Sequence, residues 1–309
     1  MPISSHSHSG QFCGHAKDTL EEVVKTAISL RMETFAMTEH MPRDEEDLYP
    51  EEVEIEQTAA GLVDLMDRYY AEAVRLRDLY APQIKLLVGF ESEWIRPSSA
   101  GLVERLLQQY QFDLFVGSIH HLHTIPIDFD KPRYEAARKI SGGTDERVFE
   151  DYFDEQYVML QTLKPPVVGH FDLIRLFSND PNRSFKLMKG VWRKILRNLE
   201  LIAGYGGLVE LNSAAIRKGM SEPYPKVEIC EEFLRLGGRF TLSDDSHGVE
   251  QIGQNYHRVF EAITRVGIQD IHYFERGSEK ADERFGHVRV RGHSVASLAN
   301  HPGFAAPHR

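Results

Sequence analysis

Residues 114–121 read Leu-Phe-Val-Gly-Ser-Ile-His-His: an apolar run, a glycine, then two histidines. The pattern recurs along the chain. Residues 87–91 are Leu-Val-Gly-Phe-Glu, 167–170 are Val-Val-Gly-His, and 242–247 are Leu-Ser-Asp-Asp-Ser-His. The first three runs are short and apolar without alternation, as expected of a strand in a parallel sheet covered on both faces. Each run also ends on an imidazole or a carboxylate. A fold that repeats such a unit gathers those polar groups at one end of its strands.

Working outward, extended runs fall at Thr34–Met37, Lys85–Gly89, Leu114–Gly117, Val167–Gly169, Leu208–Leu211 and Arg239–Leu242, with a short one around Ile3 opening the series. Amphipathic stretches lie between them. Lys17–Arg31 places Leu20, Val23, Val24, Ala27 and Leu30 on one face, behind a capping box of Thr19 and Glu22. Leu62–Leu79 follows the same rule, and Val227–Leu236 and Glu250–Val266 stop at Gly237 and Gly267. About seven strand–helix repeats predict an α/β chain of parallel units, closed as a barrel. The 309 residues suit one such barrel with long loops, so the whole of 1–309 reads as a single domain. Pro42–Glu56 reads as a solvated acidic loop. Thr124–Thr144, with two prolines and two glycines, reads as a long lid loop. The residues from about Val290 to Arg309 read as a tail.

Composition removes several classes of function. No apolar run is long enough to span a membrane, and the first ten residues lack the basic and apolar parts of a signal peptide. Two cysteines, Cys13 and Cys230, exclude a disulfide scaffold and point to a reducing compartment, the cytoplasm. A net charge of −11 argues against a broad nucleic-acid-binding surface. The oligomeric state is not legible.

Fifteen histidines are the unusual feature. His6 and His8 flank Ser7 in an extended segment, so both can face one ion. His15 lies a turn later. His40, Glu91, His120, His170, Asp245 and His247 sit at or just past strand ends. In a closed parallel barrel those ends share the face that carries the active site. Seven imidazoles and two carboxylates on one rim exceed what core packing asks for. Imidazole and carboxylate together suit zinc, iron or manganese, and nine ligands accommodate two or three ions. His121 and His123 are candidates for supporting the ligands or touching substrate. His257, His272, His287, His293, His301 and His308 read as ordinary surface or half-buried residues.

The ordered set HSHSGQFCGHA (6–16), TEH (38–40), GFE (89–91), GSIHHL (117–122), GHFDLIR (169–175) and SDDSH (243–247) resembles the PHP (polymerase and histidinol phosphatase) superfamily, in particular its monofunctional histidinol-phosphate phosphatase branch. The likeness runs from His6 to about Gly267, and ELNSAAIRKGMSEPYP (210–225) and IPIDFD (125–130) resemble that branch too. The resemblance implies a distorted (β/α)7 barrel, similar to a TIM barrel, with three metals. Carried over, His6, His8, Glu91 and Asp245 hold one ion. Glu91 bridges to a second, held also by His120 and His170. His15, His40 and His247 hold the third. The family's spacings select Glu91 over Glu93 and Asp245 over Asp244.

The implied reaction is metal-dependent hydrolysis of a phosphomonoester, L-histidinol phosphate, in histidine biosynthesis. Clustered metals address both obstacles to it, a poor nucleophile and charge on the phosphoryl oxygens. Arg217 is the foremost candidate to clamp phosphate bidentately, and Arg175 is a second. Asp245 and His247 are candidate proton donors to the leaving alkoxide. Asp128, Phe129 and Asp130 are candidates for the cationic end of the substrate. Two other readings remain: a nuclease or nucleotide phosphatase of the same superfamily, and a metal-binding regulatory module without turnover.

Overall fold

A computed structural model describes residues 2–277, 287–298 and 301. Seven parallel strands form one sheet: β1 (Ile3–Ser4), β2 (Thr34–Met37), β3 (Lys85–Glu93), β4 (Leu114–Ser118), β5 (Val167–Val168), β6 (Leu208–Asn212) and β7 (Arg239–Ser243), in chain order. The first and last strands also meet. Ser5 N–H donates to the Leu242 carbonyl at 2.9 Å, and His8 N–H to the Ser246 carbonyl at 2.7 Å, so the barrel is nearly closed.

Strand β3 is longer than its apolar run predicts, because two neighbours use it in turn. Thr34–Met37 pairs with its first half and Leu114–Ser118 with its second. Glu91 and Glu93 are therefore held by a strand ladder, not left in a loop. Gly169 permits a close approach beside β5: a Cβ there would fall 2.5 Å from the Ser118 hydroxyl. That sets the position of His170.

Helices clothe the sheet. Leu20–Ser29 opens on the expected capping box, with Thr19 N–H donating to Glu22 at 2.8 Å. Its buried face of Leu20, Val23, Val24 and Ala27 joins the continuous apolar core. Ala59–Tyr80 buries Tyr69, whose hydroxyl reaches the carbonyls of Met37 and Gly89, tying helix to strands. Among the described residues no helix is long and apolar enough to cross a membrane.

Three loop expectations are corrected. Within Thr124–Thr144, Lys131–Ile140 is a helix. Pro132 sits in its first turn, where a missing N–H costs nothing, and Asp130 caps it by accepting the Arg133 N–H at 2.8 Å. Pro42–Glu56 is no solvated loop. Arg43 and Tyr49 are buried, Arg43 pairs with Glu52, and Pro50–Glu54 is helical. The supposed tail begins as a strand: β8 (Asp270–Arg276) and β9 (Val288–Ser294) form an antiparallel pair, in register Asp270 to Ser294. Buried Asp113 holds this pair to the barrel through Arg276 at 2.5 Å and His287 at 2.7 Å. Residues 302–309, with His308, lie outside the described residues.

Candidate metal centre

Glu91 stands at the middle of the strand-end face. Its Oε1 lies 3.2 Å from His6 Nε2, 3.4 Å from His120 Nε2 and 3.0 Å from His170 Nε2. Its Oε2 lies 3.4 Å from His8 Nε2 and 2.9 Å from His40 Nδ1. The two oxygens thus face different histidines, as a bridging carboxylate requires. Asp245 Oδ1 stands 3.8 Å from His6 and 3.7 Å from His8. Donor atoms within 4.8 Å of one another form three groups among the described residues: His6, His8 and Glu91; Glu91, His120 and His170; and His8, Cys13, His40 and His247.

The ionisation states follow from this crowding. Burial opposes charge on Glu91, yet the imidazoles of His6, His120 and His40 hold its carboxyl well below the usual range. Asp245 is buried too, and His6, His247 and His8 hold it low. Burial and the neighbouring His8 push His247 well down, favouring its neutral form. His6, despite its burial, is raised by Glu91, Asp245 and Glu210.

The donor set fits cations. Buried polar atoms are normally hydrogen-bonded. Here both ring nitrogens of His40, the Nδ1 atoms of His8, His120 and His170, and both oxygens of Glu93 are buried without a well-aligned hydrogen bond, although imidazole and carboxylate atoms stand as close as 2.9 Å. His120 Nε2 and His170 Nε2 approach to 3.0 Å, and His6 Nε2 and His8 Nε2 to 3.1 Å. Ring nitrogens gathered this closely suit a cation that would take up their lone pairs.

A second layer of carboxylates aims the ligands. Glu210 receives the His6 Nδ1 proton at 3.1 Å, which leaves Nε2 free for an ion. The same carboxylate accepts the His170 N–H at 2.6 Å and the Asn212 amide at 2.8 Å. Glu93 lies behind His120 Nδ1 at 2.9 Å and His121 Nδ1 at 3.4 Å. Glu39 accepts the Ser9 N–H at 2.8 Å and stands 3.6 Å from His8 Nδ1. Of these, Glu210 and Glu39 were missed in the sequence reading. The signal for Glu210 could have been found, since it is the one acid in the otherwise uncharged run Leu208–Asn212. Asp244, the rival of Asp245, is turned away and bonded to Ser4 and the Gly253 N–H.

His15 is placed differently from its fellows. Its side chain is 46% exposed, and its ring stacks on His247 with centroids 5.0 Å apart. Its Nε2 lies 3.3 Å from Cys13 Sγ. Burial would raise the Cys13 thiol, but the neighbouring imidazoles of His15 and His40 bring it down to about 6. His123 is outside the centre, beside Ser141 and Asp151. His287 and His293 pair with Asp113 and Glu33, away from it.

A cleft of about 380 Å³ opens onto the centre, walled in part by Asp128, Phe129, Tyr49, Arg217 and Lys218. Arg217 donates to the carbonyls of Asp244 at 3.1 Å and Asp245 at 2.8 Å, so it fixes the Asp245 turn while lining the cleft. Arg175 does not line it. Its guanidinium is 1% exposed and is consumed by Asp172, by the carbonyls of Pro181, Glu222 and Pro223, and by Met220 sulfur. It braces the segment after β6 and has no donor left for phosphate. Asp130 is likewise committed to its helix cap and to Arg133. Asp128 and Phe129 remain at the cleft, with Phe129 stacked near Tyr49 at 6.2 Å.

The comparisons with known proteins agree with this geometry. A family model described as "PHP domain" matches residues 4–214. The probable histidinol-phosphatase of Schizosaccharomyces pombe is 45% identical over 281 residues, covering 90% of this chain and 91% of that protein. The histidinol-phosphatase of Saccharomyces cerevisiae is 34% identical over 295 residues, covering 85% and 88%. Among solved structures, histidinol phosphate phosphatase from Lactococcus lactis, complexed with zinc, L-histidinol and phosphate, aligns with a TM-score of 0.68 over 88% of this chain and 95% of that one. At 19% identity that likeness speaks for the fold.

Proposed function

The chain belongs to the PHP domain family, and from that premise we propose that it is a histidinol-phosphatase, a metal-dependent phosphoric monoester hydrolase of histidine biosynthesis. The observation that carries this reading is the double-faced Glu91 carboxylate amid five histidines, beside a cleft of a size for one small phosphate ester.

Two to three transition-metal ions fit the donors, zinc, iron or manganese by ligand type. His6, His8, Glu91 and Asp245 would hold one, Glu91, His120 and His170 a second, and His40, His247 and His15 a third. Bound there, such ions activate water and neutralise charge on the phosphoryl oxygens. Arg217 supplies fixed donors to the same oxygens, from a guanidinium already oriented by two carbonyls.

The leaving alkoxide needs a proton, and two rim groups, Asp245 and His247, stand near enough to the centre to be weighed by their protonation. Asp245 stays ionised, held low by its imidazoles. His247 Nδ1 faces the Asp245 carbonyl at 3.0 Å, which can only accept, so Nδ1 carries the proton and Nε2 is a bare lone pair. Neither is arranged to donate, which leaves the proton to come from solvent entering the cleft. Asp128, with the Phe129 and Tyr49 rings, faces the cationic end of histidinol phosphate. We place the enzyme in the cytoplasm, acting on a small molecule and not on nucleic acid.

The test is phosphate release from histidinol phosphate, a nucleoside monophosphate and a phosphodiester, with and without chelator. Histidinol phosphate should be the preferred substrate and the chelator should abolish turnover. Preference for the nucleotide or diester would replace the substrate assignment.

A further inference from the structure

We propose that Cys13 is a sulfur ligand of the outer ion position, and that this position selects a borderline-soft divalent ion, zinc or cobalt, over manganese. The proposal rests on the metal reading above and adds a donor absent from the histidine pattern. Cys13 belongs to the group with His8, His40 and His247, whose donor atoms all lie within 4.8 Å of one another. His15 is not in that group; it approaches through the sulfur, at 3.3 Å.

The two cysteines are buried for different reasons. Cys230, 2% exposed, belongs to the apolar core cluster. Cys13, 6% exposed, is not a member of that cluster. Its neighbours are imidazoles. A second observation comes from those neighbours: His8 is wholly buried and its Nδ1, 3.6 Å from the Glu39 carboxylate, makes no hydrogen bond, while His40 Nε2 is buried without a hydrogen bond and His40 Nδ1 faces Glu91 at 2.9 Å. An ion among these side chains would satisfy what the protein leaves open.

The backbone sets the sulfur in place before any ion arrives. The turn Ser9–Ala16 closes through Cys13 N–H to the Ser9 carbonyl at 2.9 Å and Ala16 N–H to the Cys13 carbonyl at 3.1 Å. Lys17 N–H then donates to the His247 carbonyl at 2.9 Å, stitching this turn to the His247 turn. His8 also serves the inner group, but Cys13, His40 and His247 remain however it is shared. On binding, the thiol loses its proton to solvent and the thiolate becomes the ligand. Two or three imidazoles and one thiolate make a zinc-type donor set, whereas the carboxylates of Glu91 and Asp245 leave the inner positions open to harder ions.

The experiment loads the full chain with cobalt(II), counts bound cobalt by elemental analysis, and records the near-ultraviolet spectrum. Wild type should show a sulfur-to-cobalt charge-transfer band. Cys13→Ser should lose it, Cys230→Ser should keep it, and zinc but not manganese should displace it. Cobalt bound without the band in wild type, or a band that survives in Cys13→Ser, overturns the sulfur ligand and leaves the phosphatase reading intact. A chain that binds no cobalt overturns both.

Discussion

The ring around Glu91 and the flank around His15 are built from the same side-chain types but held to different standards. His6 and Glu91 are 0% and 1% exposed, and His6 has a second carboxylate, Glu210, behind its far nitrogen. His15 is 46% exposed, and the carboxylate near its Nδ1, Glu51 at 3.5 Å, is itself 33% exposed. The inner ring is fixed by strand ladders and buried hydrogen bonds. The flank is fixed by turns. Precision in a metal centre comes from such outer support as much as from the ligands, so the inner positions should be the more demanding of the two.

Breaking that contrast starts at its centre. Glu91→Ala removes the only carboxylate shared by both inner groups. It should lower kcat by several orders of magnitude while circular dichroism stays native, with His257→Ala as a near-neutral control. Equal loss in both would undo the sorting of the histidines. Next, Arg217→Ala should lower kcat/KM by about 2–4 kcal/mol, for histidinol phosphate and a small aryl phosphate alike, because both present the same oxygens. Loss confined to histidinol phosphate would make Arg217 a reader of the alcohol. Third, Glu210→Gln should weaken zinc binding by about 10–100-fold, measured by competition with a chromophoric chelator. Glu51→Gln should barely change it. Similar losses in the two would erase the distinction between ring and flank. Smallest is Asp128→Asn: a several-fold rise in KM for histidinol phosphate with the aryl phosphate nearly untouched. A parallel rise for both would make Asp128 structural.

The residues we propose as ligands were legible because each lies at or just past a strand end, and a parallel barrel brings all such ends to one face. His6, His8, His40, Glu91, His120, His170, Asp245 and His247 do meet there. What periodicity hid has physical causes. Lys131–Ile140 was taken for loop because Pro132 reads as a breaker, although the first helical turn is where proline is tolerated. The β8–β9 pair escaped notice because its strands are half-exposed and carry no clean alternation. Arg175 looked available to phosphate because sequence cannot show that Asp172 and four other acceptors consume it. Cys13 was not read as a ligand because two of its neighbours, His40 and His247, come from distant segments.

Phosphomonoester hydrolysis by this chain depends, as we propose, on ions held by the converging imidazoles and carboxylates at the strand ends. The most direct measurement of that dependence strips the chain of metal, returns zinc in known amounts, and follows phosphate release from histidinol phosphate. Turnover should be absent without metal and should rise to saturation at two to three equivalents per chain, the number the nine candidate ligands accommodate. Turnover that survives stripping, or that never follows the added zinc, would contradict that dependence.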